Sequence, residues 1–274
     1  MEMKKVVAAL DNSAAAASVA ATARRLADVF DADVEAVHVG EDGDRIAAAT
    51  AAAAAHEHRR LTGPVLPALV RAAEHPEVVA LVVGARGLPR RRKVGSTALE
   101  VITSLHTPVV VVPPEITEQT RLKRVLVPLE GTPLTSLAPK ELIELAEDAD
   151  VEVIVLHVHG PASLPPFTDQ PQHEAEAWRE EFIARYCPWG IGKVSMQIRV
   201  GDLEHEIVRA TADTNADLVA IGWEQRFAAG RAPIVRELLE RSRTPVLLIP
   251  LRDAPRDQSR PRRRSWNSLQ SLRV

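Results

Sequence analysis

The sequence predicts an α/β protein built from two copies of one unit, each a five-stranded, mostly parallel sheet flanked by helices. Three observations carry this. Short apolar runs alternate with longer stretches of strong helix formers, the pattern that crossover connections in a parallel sheet produce. The alternation runs through the chain twice, with recurring words in the same order. Hydrophobic residues make up 46% and charged residues 26% of 274, the balance of a chain that buries a core.

In the first copy Lys5 to Leu10 reads as a strand, apolar enough to be covered on both faces. Ala14 to Phe30 follows as an Ala-rich helix, and Val34 to Val39 as the second strand. Asp44 to Arg59 is rich in alanine and reads as a helix, ahead of a weak strand near Leu61. Val65 to Ala73 is the next helix and Val78 to Val83 the fourth strand. Thr97 to His106 is helical, with Thr97-Ala-Leu-Glu100 matching a capping box, and Pro108 to Val112 closes the unit. The second copy repeats the strands as Arg124 to Leu129, Val151 to Val158, Val194 to Val200, Leu218 to Gly222 and Val246 to Ile249.

The copies align by recurring residues. Asp31-Ala-Asp-Val-Glu35 returns as Asp148-Ala-Asp-Val-Glu152, His38-Val39 as His157-Val158, and the strand ending in Asp11 returns ending in Glu130. Further on, Gly63 pairs with Gly201, Gly84 with Gly222, and Thr107-Pro108 with Thr244-Pro245. The offset grows from 119 to 138, which places an insertion of about 19 residues between the second and third strands of copy two. The expected boundaries are a first domain over 1–116, a second over 121–251 with its insertion at about 161–190, and a tail over 252–274. Within the insertion Trp178, Phe182 and Tyr186 recur every fourth residue, along one side of a helix; a core-facing stripe is the favoured reading and a partner-binding surface the sharper one.

Several function classes fall away. No run reaches the roughly 18 to 20 apolar residues that span a bilayer, and no secretory leader is expected, so the cytoplasm is the expected compartment. The one cysteine, Cys187, rules out an internal disulfide framework and a cysteine-based zinc cluster. His157 with His159, and His56 with His58, lack a third ligand and read as ordinary histidines. Net charge is −3, with seven arginines against two aspartates giving the tail +5 and leaving −8 on the rest. The body is not a sequence-specific nucleic-acid binder by bulk charge, and the tail reads as a mobile basic extension.

Chemistry concentrates after the fourth strand of copy one. Val83-Gly84-Ala85-Arg86-Gly87 is followed by seven residues and then Gly95-Ser96-Thr97, which opens a helix. In an open parallel sheet ligands bind beyond the carboxyl ends of the strands, where a helix N-terminus offers free N–H groups to an anion. Gly84 and Gly87 are expected to let the backbone turn sharply and approach a ligand. Ser96 and Thr97 add hydroxyl donors, and Arg86 with Arg90 to Lys93 adds positive charge. Asp11, ending the first strand, is either the N-cap of the following helix or a carboxylate for a ribose or base. Val39 would offer main-chain groups to a base.

The glycine loop, the Leu10-Asp-Asn-Ser13 turn, the Val-His-Val39 strand end and Thr107-Pro-Val-Val-Val-Val-Pro113 resemble the universal stress protein family, and the duplication resembles its tandem members. The likeness covers Lys4 to Pro250. It implies two Rossmann-like domains of the adenine nucleotide alpha hydrolase kind. The ATP-binding subset of the family carries G-x2-G-x9-G and then Ser or Thr, whereas the spacer here holds seven residues. The resemblance places Asp11 and Val39 at adenine and ribose, Gly84, Arg86 and Gly87 at ribose and phosphates, and Gly95, Ser96 and Thr97 at the phosphates. It implies ATP or a related adenine nucleotide, with or without Mg²⁺, in a stress-response or regulatory module that binds rather than turns over, with slow hydrolysis at most. In the second copy Gly222-Trp-Glu-Gln225 and Ala232-Pro233 replace the loop, so that half is expected not to bind. The closing strands of the copies are expected to pair within one chain as a pseudo-dimer, with a homodimer left open. The competing reading is a nucleotide-independent scaffold that binds a protein through the second domain or the tail.

Overall fold

Most of the apolar runs become strands buried on both faces, whereas Val194–Val200 forms a strand that stays half-exposed. A computed structural model of the chain describes residues 3–13, 15–40, 57–85, 94–114, 121–160, 171–187, 194–227 and 232–251. The first half runs β1 (Lys5–Leu10), α1 (Ala16–Phe30), β2 (Asp33–Val39), β3 (Glu57–Leu61), α2 (Val65–Ala73), β4 (Val78–Gly84), α3 (Ser96–Ser104) and β5 (Val109–Val112). The second runs β6 (Arg124–Pro128), α4 (Pro133–Leu137), α5 (Lys140–Asp148), β7 (Glu152–His159), α6 (Pro171–Tyr186), β8 (Val194–Val200), α7 (Leu203–Asp213), β9 (Leu218–Trp223), α8 (Ala232–Arg241) and β10 (Val246–Pro250). Among the described residues no helix is long and apolar enough to cross a membrane.

Alternation along the strands sends side chains to two separate cores. Val6, Ala8 and Leu10 join α1, α5 and Phe182 of α6 on one face. Val7 joins α2, α3, α7 and α8 on the other. The result is a three-layer sandwich of helices, sheet and helices. α1 buries Ala16, Val19, Ala20, Ala23, Leu26, Ala27 and Phe30, a stripe at helical spacing made mostly of small side chains, which brings this helix close to the sheet.

The ten strands form one sheet in the order β3-β2-β1-β4-β5-β10-β9-β6-β7-β8. Every neighbouring pair is parallel except β5 and β10, which run antiparallel with Val110 opposite Leu247. An exposed Val109–Val112 edge would invite pairing with another chain; here it is covered by the other half of the same chain. Buried Asp217 of the second half accepts the main-chain N–H groups of Lys123 and Arg124 at 2.8 and 3.0 Å, which ties the start of β6 to the start of β9.

Three sequence expectations change. Residues 57–59 belong to β3 and not to the end of a helix; the rest of the Asp44 to Arg59 segment, 44–56, lies outside the described residues. Main-chain pairing with β2 overrides local propensity there, and Arg59 adds a 2.5 Å ion pair to Glu35. As an outer strand β3 carries Glu57, His58, Arg59 and Arg60, charges that discourage further pairing. The shared pentapeptide is also two residues out of structural register. Lys5 pairs with Asp33 and Arg124 with Glu152, so Asp31 corresponds to Asp150, and both have left-handed φ, 49° and 60°. The duplication rests on strand order and on the 119-residue offset shared by these pairs. Finally, Gly84 is not at a turn, as described below.

The aromatic stripe faces inward. Phe182 is buried, with Trp178 and Tyr186 partly buried on either side at ring separations of 5.1 and 4.8 Å. Cys187, just after this helix, is buried, and burial pushes its thiol up to about 11. The thiolate is the reactive form. Cys187 is therefore expected to resist an aromatic disulfide reagent at pH 8 until the chain is unfolded; rapid labelling of the folded protein would contradict its packing.

Candidate functional site

In the first half the chain runs outward from β1 through β2 to β3, then crosses back to place β4 on the other side of β1. The reversal of strand order leaves a crevice beyond the carboxyl ends of β1 and β4, the position where open α/β sheets bind ligands. Asp11 follows β1 directly and Gly84 ends β4, so the topology brings both to this crevice. Val39 ends β2 on the same sheet edge, opposite Leu61.

Asp11 is exposed and does not cap α1, whose N-cap is Ala15 with no side-chain cap bond. Instead its Oδ1 accepts from the main chain of Ser13 at 3.0 Å and from the Ser13 hydroxyl at 2.5 Å. Ser13 Oγ in turn accepts the Ala15 N–H at 3.2 Å. This local turn orients the carboxylate beyond the strand end.

Gly84 is the last residue of β4, paired with Val112, and the left-handed glycines among the described residues are Gly40, Gly63, Gly131 and Gly201. Gly84 therefore supplies an open strand end, not a sharp turn. Beyond it Ala85 donates to Val112 O at 2.7 Å, and Gly95 donates to Ala85 O at 2.9 Å, so both ends of the glycine loop are held together. Arg86, Gly87 and the run 90–93 lie outside the described residues.

The capping-box reading of Thr97 is not realised. Gly95 is the N-cap of α3, and no side chain caps this helix. Ser96 and Thr97 occupy its first turn with exposed side chains. The arrangement leaves an uncapped helix N-terminus, with its positive dipole end and two hydroxyls, beside the end of β4.

His38 entered the sequence reading as a marker of the repeat and of the strand end, not as a site residue. Its Nδ1 donates to Leu10 O at 3.0 Å, clasping the ends of β1 and β2, and its buried Nε2 has no hydrogen-bond partner. The same clasp recurs as His157 Nδ1 to Leu129 O at 2.8 Å. The 119-residue offset that pairs these histidines was the available signal.

The second half has the same reversal of strand order between β6 and β9, and at its strand ends a cavity of about 100 Å³ is lined by Leu129, Glu130, His157, Ile207, Ile221 and Ile234, without the glycine loop of the first half. A Cβ on Gly222 would lie 2.8 Å from Leu251 Cδ2 and 2.9 Å from Ala138 Cβ, so this glycine serves packing. Trp223 is 1% exposed and packs against Phe227, whose ring lies under the Arg236 guanidinium at 5.4 Å. Gln225, opposite Gly87 in the alignment, donates through Nε2 to Leu105 O in the first half. Gly131, at φ 79°, brings the turn after β6 within contact of Phe182. The loop that lost its glycines has become a contact between the halves. Among the described residues no group of three histidine, cysteine, aspartate or glutamate side chains converges to hold a metal ion.

Comparison with known proteins agrees with this architecture. A sequence model described as the universal stress protein family matches residues 40–113 and 121–250. No curated protein matches the chain. A solved structure of a functionally unknown protein from Pseudomonas aeruginosa PAO1 is 12% identical, covers 91% of this chain and 93% of its own, and has a TM-score of 0.66. A universal stress protein from Archaeoglobus fulgidus DSM 4304 is 16% identical, with 91% and 97% covered and a TM-score of 0.60. A universal stress protein solved in complex with cAMP is 19% identical, with 48% of this chain and 98% of its own covered, and a TM-score of 0.38. At these identities the two longer matches show a shared fold, and the family model, which matches more than half of the residues, shows the relationship. The chain belongs to the universal stress protein family, and it carries the family's α/β unit in two consecutive halves joined in one sheet.

Proposed function

We propose that this universal stress protein binds ATP or a related adenine nucleotide in the first half, at the crevice beyond β1 and β4, and that the second half is a non-binding structural or regulatory partner. The observation that carries the reading is the uncapped start of α3, with exposed Ser96 and Thr97, next to the glycine end of β4. Phosphate oxygens would accept from the free N–H groups and the two hydroxyls, and each hydrogen bond to a charged group contributes about 1.5–3 kcal/mol. Gly84, Gly95, Arg86 and Gly87 would border the phosphates, with Asp11 and the main chain of Val39 toward the sugar and base. A Mg²⁺ ion fits only as a passenger on the phosphates, since Asp11 is the carboxylate that the described residues bring here.

The protein binds rather than turns over its ligand, in a cytoplasmic stress-response or regulatory role, and residues 1–116 and 121–251 act as a pseudo-dimer held through β5 and β10. A scaffold role through the aromatic helix gains no support, because Phe182 faces the core. Denaturing the purified protein and identifying released small molecules by mass spectrometry, followed by ATP calorimetry, tests the proposal. One adenine nucleotide per chain is the expected stoichiometry. Two per chain would overturn the assignment of the second half, and none, with no heat of ATP binding, would overturn the site.

A further inference from the structure

A cleft of about 250 Å³ lies in the second half between α6 and the turn that follows β6. Glu130 and Gly131 of the turn, His157 of β7, and Trp178, Phe182 and Tyr186 of α6 line it. The volume is below the roughly 300–1,000 Å³ of pockets that take drug-sized ligands, so it suits a head group and not a whole nucleotide. The aromatic residues of α6 recur every fourth position and so share one side of the helix. Buried Phe182 forms the floor, with partly buried Trp178 and Tyr186 at ring separations of 5.1 and 4.8 Å. The His157 ring closes the group, 5.3 Å from Trp178 and 5.0 Å from Phe182. His159 backs Trp178 at 5.1 Å; burial, helped by the neighbouring His157, holds its pKa below the ordinary histidine value, so this ring is neutral at neutral pH.

Gly131 fixes the opposite wall. Its φ of 79° lies in the left-handed region, and a Cβ there would stand 2.9 Å from Phe182 Cε2 and 3.5 Å from Tyr186 Cε2, so the turn packs flush on the rings and sets Glu130 beside them. Charge gives the ligand its sign. Glu181 and Arg185 also border the cleft, but they pair with each other at 2.7 Å, so the lining takes its net negative charge from Glu130. The first half sets Asp11 across from an uncapped helix start with two hydroxyls, whereas the second sets Glu130 across from aromatic rings. Ring faces carry negative partial charge and attract cations, most strongly where water is excluded. An alkylated ammonium ion satisfies both walls, since its alkyl surface packs on the rings and the carboxylate balances its charge. The strand-end cavity of about 100 Å³ shares Glu130 and His157 with this cleft and adds Ile207, Ile221 and Ile234, apolar room for a substituent on the head.

We propose that this cleft of the second half binds the head of an alkylated ammonium ion, held by Trp178, Phe182 and Tyr186 and paired with Glu130. The half without the glycine loop then has a ligand of opposite charge to the one proposed for the first half. The two sites are separate, so the inference is independent of nucleotide binding.

The test uses the full chain labelled with 5-fluorotryptophan, the Trp178 resonance being identified by its loss in Trp178→Phe. Titration with tetramethylammonium chloride, at an ionic strength held constant with sodium chloride, should move this resonance along a saturable curve while the resonance of buried Trp223 keeps its position. Tert-butanol, a neutral molecule of similar size, should bind at least about tenfold more weakly. Glu130→Gln, at an exposed position, should weaken tetramethylammonium by about tenfold and leave tert-butanol unchanged. A Trp178 resonance that tetramethylammonium does not move would overturn the proposal. Equal affinity for the two probes would also overturn it, by making the cleft an apolar pocket only, and so would undiminished tetramethylammonium binding in Glu130→Gln.

Discussion

Replacing Ser96-Thr97 by the Pro-Ile pair that opens the equivalent helix of the second half is expected to weaken adenine-nucleotide binding by about a thousandfold while leaving the thermal midpoint nearly unchanged. The substitution removes one main-chain N–H and two hydroxyls from the start of α3. At about 1.5 kcal/mol for each hydrogen bond to a charged oxygen, three losses come to about 4.5 kcal/mol, a little over three factors of ten. Stability should survive because proline is well tolerated in a helix's first turn, and the second half builds α8 from this opening, with Ala232 and Ile234 buried. Calorimetric titration with ATP and a melting curve on the same sample separate the two effects. Undiminished affinity would remove α3 from the site, and a collapse of the melting transition would show that the exposed hydroxyls have a structural role.

Trp223→Ala is expected to destabilise the protein by about 3–5 kcal/mol, the range for truncating a large buried aromatic side chain. Trp223 is among the largest fully buried side chains and packs against Phe227 where the first half has its glycine loop. Its removal leaves a void that Ile221 and Ile234 fill only in part, so urea unfolding should shift to a clearly lower midpoint. Nucleotide stoichiometry in the folded protein should not change, since the proposed site lies in the opposite half. A loss below about 1 kcal/mol would mean that the loop has collapsed onto the vacated volume.

The strands could be read from the sequence because parallel strands covered on both faces need unbroken apolar runs, as in Val78 to Val83. β3 could not be read this way. Glu57-His-Arg-Arg-Leu61 carries no apolar alternation, and only the free edge of β2 makes it a strand. At the site, Gly84, Gly95, Ser96 and Thr97 could be placed because a strand end, a loop and a helix start are local events in one contiguous stretch. The competing roles of Asp11 and Thr97 as helix caps could not be decided locally, since a residue that can cap a helix caps it only where the helix begins, here at Ala15 and Gly95.

By itself, then, the sequence determined the duplication, the alternation of strands and helices within each unit and the position of the glycine loop at the end of the fourth strand, all of which follow from local periodicity and from small residues at strand ends. Tertiary structure alone decided what surrounds the loops of the second half. Ala138 and Leu251 lie far from Gly222 along the chain, yet they pack against it, while Phe182 closes over Gly131. It also fixed the register in which the expected pairing of β5 and β10 joins the halves, antiparallel with Val110 opposite Leu247. Hydrophobic burial is non-directional, so a pattern of apolar residues shows that a surface will be covered without showing what covers it.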